Sequence, residues 1–217
     1  MTQPSPIKIV VLISGRGSNL QSLFHAQQAE QLNVEFAAVI SNRPQAAGLQ
    51  FAQQQQLATT VVDHTRYSGR ESYDQSLIEA IDSHHPQLVV LAGFMRILTP
   101  QFVRHYAGRL INIHPSLLPN FKGLHTHQQA LDAGVEQHGA SVHFVTEELD
   151  GGPVFLQATV AVEADDTAEV LAARVLHQEH QLYPAAVQLI AEGRIALVDG
   201  RLYFDDTVLY EPIQLGG

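Results

Sequence analysis

Apolar residues come in short runs separated by stretches of helical period, and this alternation is the first organising feature of the chain. Ile7-Lys8-Ile9-Val10-Val11-Leu12-Ile13 is a nearly continuous β-branched run, the pattern of a strand covered on both faces. It ends in Ser14-Gly15-Arg16-Gly17-Ser18-Asn19-Leu20, where two glycines permit a tight turn and Ser18 or Asn19 can cap a helix. Leu20, Leu23 and Phe24 then open a helical stripe. The pattern repeats: a strand from Val34 to Ile40, a helix from about Pro44 through Gln56, a strand from Thr59 to Val62, a helix from about Arg70 to Ser83, and a strand from Leu88 to Leu91. Such spacing predicts an α/β architecture with a parallel sheet and right-handed crossovers.

Leu110, Ile111 and Ile113 form the next buried strand, stopped by Pro115 and Pro119, neither of which can donate to a sheet ladder. A loop, Asn120 to His127, leads into a helix ending near Gly134. Gly139 to Thr146 alternates as a half-buried strand, and Pro153 to Val162 supplies another. A long helix from about Thr167 to Ile190 follows, with Pro184 expected to kink or break it. Ile195 to Phe204 reads as two strands around Asp199-Gly200, a strong hairpin signal. There is no linker and no repeat. One domain over 1–190 with a peripheral hairpin and tail over 191–217 is the expected organisation.

Composition narrows the function classes. The 217 residues are 45% hydrophobic, enough for a sizeable core. A formal charge of −10 repels polyanions, so an extended nucleic-acid footprint is not expected and any phosphate must be held locally. The absence of cysteine excludes disulfides, a thiolate nucleophile and Cys-based zinc sites. No signal peptide and no apolar run of membrane-spanning length is read, which makes a cytoplasmic location the default and a membrane partner unexpected.

Three stretches can carry chemistry. In Asn112-Ile113-His114, two-residue strand periodicity puts a carboxamide and an imidazole on one face at the carboxyl end of a strand, where open α/β sheets bind ligands. That pair suits carbonyl polarisation and proton transfer, or else the two simply satisfy each other in the core. Asp150, in the acidic Glu147-Glu148-Leu149-Asp150-Gly151-Gly152 turn, is the candidate orienter of His114. The glycine-rich turn Ser14 to Leu20 is a cup for an anion, because a helix N-terminus offers N–H groups and the positive end of a dipole. It lacks the Lys of a Walker loop, and Leu20 stands where a dinucleotide fingerprint needs a small residue, leaving a single phosphate as its natural guest. Met95, Ile97 and Leu98, in the loop after the fourth strand, are either the wall of an apolar pocket or core, with pattern alone favouring core. His125 and His127, with His114 or His138, invite a metal, but no acidic partner stands at a familiar zinc spacing and none is expected to bind. Gln53 to Gln56 reads as the exposed end of a helix.

Taken together in order, Ser14-Gly15-Arg16-Gly17-Ser18-Asn19-Leu20, Leu91 to Leu98, Tyr106 to Pro119, Gly123-Leu124-His125-Thr126-His127, Ser141 to Val145 and Asp150-Gly151-Gly152-Pro153 closely resemble the phosphoribosylglycinamide formyltransferases. The likeness runs from Ile9 to about Leu189. It implies a Rossmann-like, mostly parallel twisted sheet with helices on both faces and mixed, antiparallel strands in the second half. It also implies transfer of a formyl group from 10-formyltetrahydrofolate, without a metal, to the amine of 5'-phosphoribosylglycinamide in de novo purine synthesis, by a monomer or homodimer. By this resemblance Asn112, His114 and Asp150 would be catalytic, Gly17, Ser18 and Asn19 would hold the substrate phosphate, and Glu179 would contact its ribose. The folate would be received by Arg70, Met95, Arg96, Ile97, Leu98, Asn112, Thr146, Glu147, Glu148, Leu149 and Asp150. Arg16 sits at a variable position of the phosphate loop and could add a charge contact. Methionyl-tRNA formyltransferases share the catalytic motif but carry a further domain and a basic tRNA surface; formyltetrahydrofolate deformylases carry an N-terminal regulatory domain. Neither feature is read here. A non-catalytic binding module on the same scaffold is the remaining alternative, since fold does not imply function. Whether His143 belongs to the site is left open by the sequence.

Overall fold

The computed structural model describes residues 5–216, so the outermost residues of the expected 1–190 and 191–217 spans lie outside the described part. The chain divides into two compact units between Ile111 and Asn112. In the first, β1 (Ile7–Ile13), α1 (Ser18–Gln28), β2 (Val34–Ser41), α2 (Ala47–Gln54), β3 (Thr59–Val61), α3 (Arg70–Asp82), β4 (Leu88–Leu91) and α4 (Pro100–His105) follow one another. β1 pairs in parallel with β2 on one side and with β4 on the other, and β2 pairs in parallel with β3. Val10 to Ile13 are fully buried, as expected of a strand covered on both faces.

The division falls within β5 (Leu110–His114). The second unit continues with α5 (Thr126–Asp132), β6 (Gln137–Phe144), β7 (Val154–Ala161) and α6 (Ala168–Ala191). β6 and β7 are antiparallel, and the two-residue β11 (Ile213–Gln214) pairs in parallel with β7. Between them in sequence β8 (Ile195–Val198), β9 (Arg201–Phe204) and β10 (Thr207–Val208) make a separate three-stranded antiparallel sheet. The class is therefore α/β, with a mostly parallel but mixed sheet. Among the described residues, no helix is long and apolar enough to cross a membrane.

Local chemistry explains both the agreements and the departures. Asp199 and Gly200 take left-handed backbone angles, φ 50° and 76°, the twist that a two-residue hairpin turn demands. Gln53 to Gln56 are exposed at the end of α2, as their polarity suggests. Pro184 does not break α6, which runs unbroken for 24 residues. Its contacts with β6, β7 and α5 outweigh the single backbone bond that proline removes. Helix α4 follows the loop after β4, in a stretch where the sequence pattern assigned no element. Thr99 caps it, its hydroxyl accepting from Phe102 N–H at 3.3 Å, and Pro100 occupies the first turn, where its missing N–H costs nothing. Ser18 and Asn19 lie inside α1 and are not its cap; that place belongs to Gly17, at φ 72°.

Candidate active site

Two constellations follow from this frame, one in each unit. In the first, β1 delivers the Ser14 to Asn19 turn. Gly17 is forced by its surroundings as well as by its positive φ, because a Cβ there would stand 2.8 Å from the Cα of Gly48. Gly48 in turn donates its N–H to the Gly15 carbonyl at 3.0 Å, so the opening of α2 braces the turn. The turn thus presents the N-terminus of α1, whose first-turn N–H groups are those a helix leaves for an outside acceptor. The Ser14 hydroxyl donates to Asn42 Oδ1 at 2.6 Å and accepts from Met95 N–H at 2.8 Å, tying the root of this turn to the loop after β4.

That loop corrects one expectation. Met95 and Ile97 are 64% and 58% exposed and Leu98 is half-buried, so the first two are not core. Arg96 lies with its guanidinium carbon 4.6 Å from the centroid of the Tyr73 ring, a cation–π contact. Arg70 is exposed at the first position of α3. Asp74 accepts from Thr99 N–H at 2.6 Å, and its burial raises its carboxyl above the ordinary range.

In the second unit, Asn112, His114, His143 and Asp150 form a ring of polar groups. Asp150 Oδ2 lies 3.5 Å from His114 Nδ1 and Oδ1 lies 3.8 Å from His143 Nε2, while Asn112 Nδ2 stands 3.4 Å from that same Nε2. Backbone groups hold His114, Asp150 and His143, and His143 in turn holds Asn112. His114 Nε2 is 3.0 Å from the Phe121 carbonyl, which can only accept, so Nε2 carries a hydrogen and Nδ1 is left to exchange one beside Asp150. The Gly123 N–H donates to Asp150 Oδ2 at 3.0 Å. By the same reasoning His143 donates from Nδ1 to the Phe144 carbonyl at 3.0 Å, and its Nε2 lone pair accepts from the Asn112 amide. Burial holds the His143 imidazole below its ordinary pKa, which keeps that lone pair available. One Asn112 N–H is thereby directed into His143 and the other remains for a ligand. Asn112 and His114 are therefore not satisfied by each other.

The loop after β5 is held by side chains that sequence reasoning missed. Ser141 Oγ donates to the Ser116 carbonyl at 2.7 Å and accepts from Leu118 N–H and Gln157 Nε2. Gln157 Nε2 also reaches the Leu118 carbonyl at 3.0 Å. The available signal was on β6: Ser141 and His143 are polar residues two apart in a buried strand, the same spacing that singled out Asn112 and His114. Opposite Val142 and His143 the register with β7 slips by one residue, Phe155 being the unmatched one. Thr146 is half-buried, Glu147, Glu148 and Leu149 are exposed, and Asp150 takes the left-handed region at φ 47°. Glu179 is buried on α6. His127 Nδ1 and His138 Nε2 sit 3.2 Å apart, and burial lowers both imidazoles, His138 to about 4. His125 is the left-handed residue preceding α5.

The formyl transferase family model matches residues 7–187. The chain belongs to that family and is a transferase. It is 52% identical over 199 residues to the phosphoribosylglycinamide formyltransferase of Escherichia coli (strain K12), an alignment covering 92% of this chain and 94% of that one. A solved phosphoribosylglycinamide formyltransferase from Coxiella burnetii superposes with a TM-score of 0.90 at 46% identity, covering 94% of this chain and 96% of the other. A formyltetrahydrofolate deformylase from Pseudomonas syringae shares the fold at 30% identity and a TM-score of 0.84, covering 92% of this chain and 66% of that one.

Proposed function

We propose that this chain transfers the formyl group of 10-formyltetrahydrofolate to the amine of 5'-phosphoribosylglycinamide, a step of de novo purine synthesis. The observation that carries the reading is the ring in which Asn112, His114 and Asp150 stand together, in a chain similar over nearly its whole length to enzymes of that name. The substrate amine attacks the formyl carbon directly, which needs positioning and desolvation but no enzyme nucleophile. As the carbonyl π pair moves onto oxygen, the second Asn112 N–H and a proton on His114 Nδ1 stabilise the oxyanion more than the starting carbonyl. Asp150, directly or through a water, takes the proton lost by the amine. That proton is passed on to the departing folate nitrogen as the oxyanion collapses and the old C–N bond breaks, so protons and charge balance across the cycle.

In this reading Gly17, Ser18 and Asn19 take the phosphate at the head of α1, and Glu179 takes the ribose. Arg70 and residues 95–98, with residues 146–150, receive the folate. Exposed apolar side chains at Met95, Ile97 and Leu149 support that assignment, since large apolar groups left in solvent suit a flat aromatic guest.

Purified protein given both substrates should yield the N-formylated glycinamide and tetrahydrofolate in equal amounts by mass spectrometry. Formate released at the same rate with and without the amine would instead place the chain with its deformylase relative. Binding of the substrates without turnover would make it a non-catalytic module.

A further inference from the structure

Phe121 and Gly123 each contact a member of the active-site ring, and Lys122 between them contacts the turn that carries Asp150. The Phe121 carbonyl accepts from His114 Nε2 at 3.0 Å, and the Gly123 N–H donates to Asp150 Oδ2 at 3.0 Å. The residue between them, Lys122, places its ammonium 2.7 Å from Glu148 Oε1, two positions before Asp150. Both segments are bent into backbone conformations that do not maintain themselves. Phe121 and Asp150 are non-glycine residues at φ 54° and 47°, and Gly123 is at φ 81°. Left-handed conformations at such residues persist only when contacts from outside the turn hold them.

The Glu148 side chain folds back over Gly151, occupying the space a Cβ there would take. The Gly151 N–H closes the same turn by donating to the Glu148 carbonyl at 3.1 Å. Lys122 holds the Glu148 carboxyl below the ordinary range, which is the expected effect of a close ammonium.

We propose that Lys122 is a positioning residue for the formyl-transfer reaction, its ion pair with Glu148 latching the 121–123 segment to the 148–150 turn so that the Phe121 carbonyl stays on His114 and the Gly123 N–H stays on Asp150. This rests on the function proposed above for its kinetic consequence, but not for its structural one. The pair is partly solvated, with side chains 35% and 70% exposed, so its contribution is modest and screened by salt. It acts on the alignment of the reacting groups and therefore on kcat.

The experiment compares wild type with Lys122→Met, Glu148→Gln and the charge-swapped Lys122→Glu/Glu148→Lys double variant, at low salt and at about 1 M salt. Lys122→Met should lower kcat roughly two- to fivefold at low salt, the scale of an exposed ion pair, with KM for the glycinamide unchanged. The deficit should vanish at high salt, where the wild-type pair is itself screened, and the charge swap should recover most of the loss. A deficit that persists at high salt, or a swapped variant no better than either single variant, overturns the latch. The structural arm needs no turnover: in Lys122→Met the His114 ring and Gly123 amide resonances should both shift, since their partners loosen. Unchanged resonances overturn the latch even if kcat falls. An inert wild-type protein whose resonances do shift would refute the function and leave the latch standing.

Discussion

The Ser14 to Asn19 turn and the ring around Asp150 are built from opposite materials. The turn is built from main-chain groups: a strand end, a left-handed Gly17, and a second glycine packed so closely that neither position admits a side chain. Its geometry is set by backbone sterics and by hydrogen bonds that brace it against α2 and tie its root to neighbouring loops. The ring is built from four side chains contributed by β5, β6 and a turn, three held by backbone groups of other residues and Asn112 by the His143 imidazole. A backbone cup suits a fixed charge such as a phosphate, whereas side chains suit a centre where charge appears and disappears.

That contrast can be broken by substitution. Asn112→Ala should lower kcat by roughly two to three powers of ten, the scale of one oxyanion donor, with little change in KM for the phosphorylated substrate; steady-state kinetics showing the reverse split would remove Asn112 from its role. Ser18→Asp should weaken that substrate by roughly tenfold or more through like-charge repulsion, leaving kcat at saturation nearly intact. Ser18→Ala sharpens the point: if main-chain N–H groups do the holding, KM should move by less than about threefold, the scale of one weak neutral hydrogen bond. His143→Leu should cost roughly tenfold in kcat, about one buried hydrogen bond, by releasing the Asn112 amide.

The smallest effect concerns acid. Burial depresses His127, His138 and His143, all in the second unit, with His138 lowered to about 4. The unfolded imidazoles, with an ordinary value of 6.5, bind protons first as pH falls. Stability contributed by the neutral rings is therefore fully present above about 6.5 and declines towards 4. Hydrogen exchange at pH 7.5 and 5 should show β6 amides losing protection at the lower pH while β1 amides keep theirs. Equal loss in both would deny the difference between the two regions.

The same contrast explains what could be read from the sequence. The glycine turn is local, so seven consecutive residues displayed its bend and the helix start that follows it. The Asp199-Gly200 hairpin and the β1 to β4 alternation were legible for the same reason. The His114 to Asp150 pair joins residues 36 positions apart in sequence; periodicity supplied Asn112 and His114, and the acidic, glycine-flanked turn made Asp150 the candidate orienter, with a catalytic role implied by family resemblance. His143 stayed undecided because a buried histidine and a working one look alike until its tautomer partners are seen. The Thr99-Pro100 signal for α4 was present but hidden by the apolar loop before it. Met95 and Ile97 misled because apolar residues are usually core, and only the fold shows them in solvent.

The Phe121 carbonyl that orients His114 belongs to the main chain, and so does the Gly123 amide that orients Asp150. Exchanging the Phe121 side chain would leave that acceptor atom in place, and a scan of residue types at this position would pass over a constraint on the His114 imidazole. Replacing the peptide link after Phe121 by an ester, which weakens the carbonyl without touching any side chain, would expose a dependence that conventional mutagenesis is blind to.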